Sequence, residues 1–139
     1  MRTLSKTKLL AYRQCPKRLW LEIHRPELRQ DSSTTQASFN AGHEVGRVAR
    51  RLYDPAGKGQ LIDGMAEGFD AALARSRELL GSSRPIFEAG FAAGGAQAFA
   101  DVMLPAKRGG KRAWRMIEVK SSTSLKDYHR DDAAIQAFV

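Results

Sequence analysis

Cysteine is nearly missing from this chain. Cys15 is the only one in 139 residues, which excludes an internal disulfide and any four-cysteine metal site. Long apolar runs are missing too: none approaches the ~20 residues that a membrane-spanning helix needs. The opening MRTLSKTKLLAYRQC offers only Leu9-Leu10-Ala11, too short for a signal-peptide core. There are no internal repeats. These absences lead to an expected cytoplasmic location with no membrane partner.

Acidic residues are in short supply, 15 against 23 Lys and Arg, for a net charge of +8. The excess is uneven. Residues 1–29 hold eight basic and two acidic side chains, residues 30–87 balance at seven and seven, and residues 88–139 hold eight and six. A basic surplus gathered at one end is either a solvated face or the footprint of a polyanion, most often nucleic acid. Hydrophobic residues make up 42%, enough for a modest core, and the length fits one domain of the usual ~100–150 residues.

The punctuation divides that domain, spanning 1–139, into three parts. In 1–35, a basic helical entry and loop, Ser5 caps a helix that Cys15-Pro16 interrupts, since proline starts a helix better than it continues one. Leu19, Trp20 and Ile23 give the second helix an apolar side. The polar stretch from His24 to Thr35 reads as an exposed loop. In 36–81, Gln36 to Tyr53 predicts a helix whose stripe Ala41, Val45, Val48, Ala49 and Leu52 is the expected core face. A Gly-rich loop from Asp54 to Gly64 follows, with Leu61-Ile62 as a short extended piece. Met65, Phe69, Ala72, Leu73, Ser76 and Leu80 then predict one helix closed by Gly81.

In 82–139 the pattern changes. Pro85–Phe91, Ala96–Leu104 and Arg112–Lys120 are strand-length segments separated by Gly94-Gly95 and Gly109-Gly110 turns, an antiparallel meander. Ser124, with Asp127 three residues on, is the expected capping box of a last helix bearing Tyr128, Ile135 and Val139 on one side. That helix stops on Phe138-Val139 without a C-cap signal. The whole is an α/β or α+β domain, expected to be cut short at its carboxy-terminal end.

Four charges fall inside the strands, where charge is costly: Glu88, Asp101, Glu118 and Lys120. Alternation puts Glu118 and Lys120 on one face with Val119 on the other. The meander can bring Asp101 beside Glu118. Two carboxylates held close repel unless a positive charge lies between them, and a hard cation such as Mg²⁺ fills that place with oxygen ligands. The plain alternative is an internal Glu–Lys pair with Asp101 at a strand edge.

Asp101, sixteen residues, then Glu118-Val119-Lys120 resembles the PD-(D/E)XK nuclease signature. Ser121 after the lysine, Gln136 in the following helix and the opening Ser5…Tyr12…Cys15-Pro16-Lys17-Arg18 are similar to its RecB-like branch, which includes the CRISPR-associated RecB-like exonucleases. The stretches QCPKRLWLE, GHEVGRVARRLY and IEVKSSTSLKDYHRDDAAIQ resemble the amino-terminal domain of bacterial RecB-like nuclease proteins. The resemblance implies a restriction-endonuclease-like α/β core that needs one further strand and a tyrosine at position 140. It implies a DNA-cleaving phosphodiesterase dependent on Mg²⁺ or Mn²⁺. His43, Asp101, Glu118 and the Val119 carbonyl would bind the metal, Lys120 would position the water, and Gln136 would orient the lysine side or contact substrate.

His43 lies opposite the Ala41/Val45/Leu52 stripe, alongside Phe39, Gly46 and Arg50. Each interior glycine costs a helix about 1 kcal/mol relative to alanine, so Gly42 and Gly46 predict close approach of a backbone or a ligand. Glu88 reads as a carboxylate behind the metal ligands or as an exposed strand residue. Lys17, Arg18 and Arg50 are electrostatic candidates for phosphates. Tyr128 and His129 are expected at the surface, Trp20 and Trp114 in the core, and Cys15 buried at its helix junction. Family members with an iron–sulfur cluster need three more cysteines, so Cys15 alone completes none. Two rivals stand beside the nuclease: a non-cleaving nucleic-acid-binding module, and half of an assembly whose Ile135-Phe138-Val139 edge another chain covers.

Overall fold

The computed structural model describes residues 3–31 and 33–139, apart from the side chain of Thr34. Among the described residues, five strands and six α-helices follow in the order β1 (Leu4–Ser5), α1 (Lys6–Gln14), α2 (Pro16–His24), α3 (Ser33–Tyr53), β2 (Gln60–Leu61), α4 (Gly64–Glu67), α5 (Phe69–Leu79), β3 (Ile86–Ala93), β4 (Ala96–Arg108), β5 (Lys111–Ile117) and α6 (Asp127–Phe138). The fold is mixed α/β, and among the described residues no helix is long and apolar enough to cross a membrane.

The meander forms where the turns require it. Gly94, Gly95, Gly109 and Gly110 all take positive φ, which matches the right-handed twist of the strands each pair joins. β3 pairs antiparallel with β4 and β4 with β5, while β2 joins β3 and β1 joins β4 in parallel. On the edge of β4 away from β3, β1 covers only Ala96 and Gln97, and β5 begins at Val102. The packed core is Ile62, Ala72, Ile86, Ala89, Ala100 and Met103, with Leu79, Phe91, Phe99, Trp114 and Met116 against it. Ser76 in α5 is fully buried: its Oγ donates to the Ala72 carbonyl (2.7 Å) and accepts the Gly90 N–H (2.8 Å). The seam between helix and sheet thus carries no unsatisfied donor there.

Several expectations hold locally. Ser5 caps α1, accepting from the Lys8 N–H, and Pro16 opens α2. Others are corrected. The loop after His24 contains a 3-10 turn at Pro26–Leu28, and α3 begins at Ser33; Ser32 lies outside the described residues. The helix expected from Met65 is broken at Gly68, whose φ of +85° cannot continue a right-handed helix, and Met65 is exposed. Asp63 caps the short α4, its carboxylate accepting from the Met65 and Ala66 N–H groups. The last helix starts at Asp127 with Lys126 before it, so Ser124 caps nothing.

The larger corrections concern which faces are buried. In α3 the stripe read as core is mostly outside: only Ala49 is buried, whereas Val48 and Leu52 are exposed. α6 buries His129, Asp132 and Gln136; of the expected apolar side, Tyr128 is exposed while Ile135 and Val139 are only half-buried. Trp20 is 54% exposed and Cys15 is exposed, so neither belongs to the core; Trp114 does pack against it.

Candidate metal and phosphate site

Strand pairing builds the site around one irregular position. Phe87 pairs with Val102 and Ala89 with Ala100, so Glu88 stands opposite Asp101 at a break in the ladder. Glu88 is the one described non-glycine residue with positive φ, +58°. A side chain held in this left-handed region costs on the order of 1 kcal/mol or more, and it persists only where its surroundings impose it.

The next strand stops early. β5 ends at Ile117, so Glu118, Val119 and Lys120 lie beyond the ladder, not inside a strand as the sequence predicts. The Val119 N–H donates to Asp101 Oδ2 at 2.6 Å, which ties the segment to β4 and brings Glu118 next to Asp101. Glu118 and Lys120 share a face as alternation requires, with Lys120 Nζ 2.5 Å from Glu118 Oε1.

α3 forms the other wall. Phe39, Gly42, His43, Gly46 and Arg50 meet Glu88, Asp101, Glu118, Val119 and Lys120 around a cavity of about 290 Å³. The face of α3 that carries His43 is therefore the one turned to the sheet. A Cβ at Gly42 or Gly46 would meet nothing within 4 Å. These glycines do not serve close backbone packing; they keep the cavity wide.

Burial, then repulsion from Glu118 and Glu88, pushes the Asp101 carboxyl up to about 7, against the pull of the Val119 N–H. Burial also raises Glu88, against the opposing charge of Arg50. The cavity lining carries three carboxyl groups against two cationic side chains, Arg50 and Lys120. Oxygen donors from Glu88, Asp101 and Glu118, with the His43 ring across from them, are the donor chemistry of a hard divalent cation. Among the described residues, no three His, Cys, Asp or Glu side chains converge closely enough to form a finished metal site. The donor types and the charge fit such an ion, and closure requires side chains to turn inward.

Behind the cavity lie contacts that the sequence reading missed. Glu118 Oε1 also accepts from Lys6 Nζ at 3.1 Å, and Lys6 lies 3.0 Å from Asp132 Oδ1. Lys120 contacts the other oxygen of Asp132. The Gln136 amide donates to Glu118 Oε2 (2.5 Å) and to the Phe99 carbonyl (2.7 Å). Gln136 therefore orients the glutamate and not the lysine. His129 is buried, its Nδ1 accepting the Lys126 N–H at 3.1 Å, so its expected surface placement is wrong. Burial opposes the charge on Lys120, and its hydrogen bonds to Asp132 and Glu118 outweigh it, raising the amine above its usual range.

Lys17 and Arg18 do not reach this cavity. They line a wider groove of about 830 Å³ with Lys8, Arg25 and Arg29, and Phe39 forms part of the wall of both. Arg18, Arg25 and Arg29 are paired with Glu22, Glu27 and Asp31. Among the described residues Lys8 and Lys17 have no ion pair. Arg50, by contrast, does border the carboxylates. No protein-family profile, curated protein or solved structure matches this chain.

Proposed function

We propose that this chain is a metal-dependent nuclease domain of the RecB-like PD-(D/E)XK type, with a restriction-endonuclease-like core, acting on DNA in the cytoplasm. The observation that carries the reading is the shared cavity. Asp101 and the Glu118–Lys120 segment, seventeen residues further on, border one space with Glu88 and with His43 from α3. Asp101, Glu118 and His43 would hold Mg²⁺ or Mn²⁺, with the Val119 carbonyl as a further donor. A bound divalent cation supplies charge stabilisation at a scissile phosphate and a more acidic water.

The chain's own residues do the rest. Lys120 holds the attacking water or a phosphate oxygen at the cavity mouth. Gln136 fixes Glu118 from behind, and Glu88 adds negative charge beside Asp101. Arg50, and the groove bearing Lys8, Lys17 and Arg18, meet the phosphate backbone. The exposed Phe39 joins the two surfaces.

The test is cleavage of end-labelled single- and double-stranded DNA with Mn²⁺, Mg²⁺ or EDTA. Asp101→Asn should lower cleavage about a thousandfold, ~4 kcal/mol of transition-state stabilisation, with DNA affinity in EDTA little changed. Cleavage that survives EDTA or Asp101→Asn rejects the reading. One observation favours a non-cleaving nucleic-acid-binding module: Glu118 and Lys120 already satisfy each other and the groups behind them. That module would bind DNA with a steep salt dependence, cut nothing, and be indifferent to Asp101→Asn.

A further inference from the structure

Glu118 and Lys120 lie past the last ladder pair of β5, so no strand partner sets their direction. The Val119 N–H ties the segment to the Asp101 side chain. Side chains must therefore aim the two groups, and four of them form a closed ring of alternating charge. Lys6 Nζ reaches Glu118 Oε1 (3.1 Å) and Asp132 Oδ1 (3.0 Å). Lys120 Nζ reaches Glu118 Oε1 (2.5 Å) and the other oxygen of Asp132. We propose that Lys6 and Asp132 are the positioning residues of the site, holding Glu118 and Lys120 in their orientation toward the cavity. The assignment rests on the proposed nuclease reading for its catalytic consequence, but not for its geometry.

Three features separate this ring from ordinary surface pairing. Asp132 is only 3% exposed, and an ionised carboxylate is kept so far from water only where cations compensate it. Lys6 comes from the first turn of α1 and Asp132 from the middle of α6, so elements distant in the chain converge on the two cavity residues. Neither borders the cavity, whereas Glu118 and Lys120 both do, so Lys6 and Asp132 act through their partners. The ring is neutral, two charges of each sign, and leaves the negative excess of the cavity to Asp101 and Glu88.

Two readouts on the full chain test this. The first needs no activity: lysine ammonium groups held in buried ion pairs exchange protons slowly enough to give ¹H–¹⁵N signals near neutral pH. The wild-type chain should show such signals for Lys6 and Lys120. Asp132→Asn should remove them while the remaining backbone spectrum stays folded, and Asp132→Glu should restore them in part. The second is kinetic: Asp132→Asn should lower kcat about tenfold or more and change KM for DNA less than threefold. If Asp132→Asn does not fold, Lys6→Met, at a partly exposed position, carries the kinetic readout and should remove the Lys120 ammonium signal. Persistence of the ammonium signals, or unchanged kcat in a folded variant, overturns the proposal. Ring signals that vanish in Asp132→Asn in a wild-type chain that cuts no DNA support the positioning role and reject the nuclease reading alone.

Discussion

α5 and α6 are nearly equal in length, 11 and 12 residues, and both pack on the central strands. α5 buries Ala72 and Ser76 beside the apolar cluster of β3 and β4. α6 buries His129, Asp132 and Gln136. The first helix holds the sheet together; the second holds charged groups in place on it. The two tasks fall on different residues, so stability and chemistry should respond to different substitutions.

The sharpest way to press that contrast is Asp101. Its carboxyl is at about 7 in the folded chain, against 3.8 for an unperturbed aspartate. The protonated form favours folding, so this group's contribution is complete below pH ~4 and is lost as the pH rises from ~4 to ~7. In metal-free solution Asp101→Asn should therefore raise stability at pH 8, by on the order of 1 kcal/mol or ~3–6 °C in Tm, although the same change should lower the proposed metal-dependent cleavage. The gain should vanish near pH 4, as thermal melts across that range would show. On the proposed metal reading, Mn²⁺ would compete with the Asp101 proton, so its affinity should climb with pH until about 7 and then level off. A Tm lowered at pH 8 by Asp101→Asn would break the comparison.

Ser76→Ala is the opposite case. It leaves the Gly90 N–H buried without an acceptor, which should cost ~1–3 kcal/mol in denaturant melts. Mn²⁺ affinity and cleavage measured well below Tm should be unchanged. The smallest effect is expected at Leu52, which is 69% exposed on α3. Leu52→Gln should move stability by less than ~0.5 kcal/mol. A loss of several times that would mean the stripe is covered in solution.

That stripe marks the limit of what the sequence discloses. The meander was legible because Gly-Gly turns and apolar segments are local signals, and so were Ser5 and Pro16. The faces of α3 and α6 were not. Periodicity assigns the apolar side of a helix to the interior, an inference that assumes an apolar surface beneath it. Facing α3 are Glu88 and Asp101 of the sheet and Glu118 just past β5, and the helix's complement is glycine, histidine and arginine. Asp101, Glu118 and Lys120 could be picked out because charge within strand-like segments is costly. Lys6 and Asp132 could not, since their contacts span the chain. A signal was available for α6: His129, Asp132 and Gln136 recur at spacings of three and four, a polar stripe with the period of a buried one.

The Gln136 amide has a consequence for how the sheet meets other chains. Between β1 and β5, residues 98–101 of β4 have no strand beside them on that edge. Gln136 donates to the Phe99 carbonyl inside this gap, and Asp101 uses its side chain to take the Val119 N–H. An unfilled gap of this kind would be a template for a stray extended peptide. α6 thus serves as a plug as well as a support: while it is docked, the Phe99 carbonyl in the interrupted edge is taken by Gln136, and its departure would free that acceptor for a foreign strand.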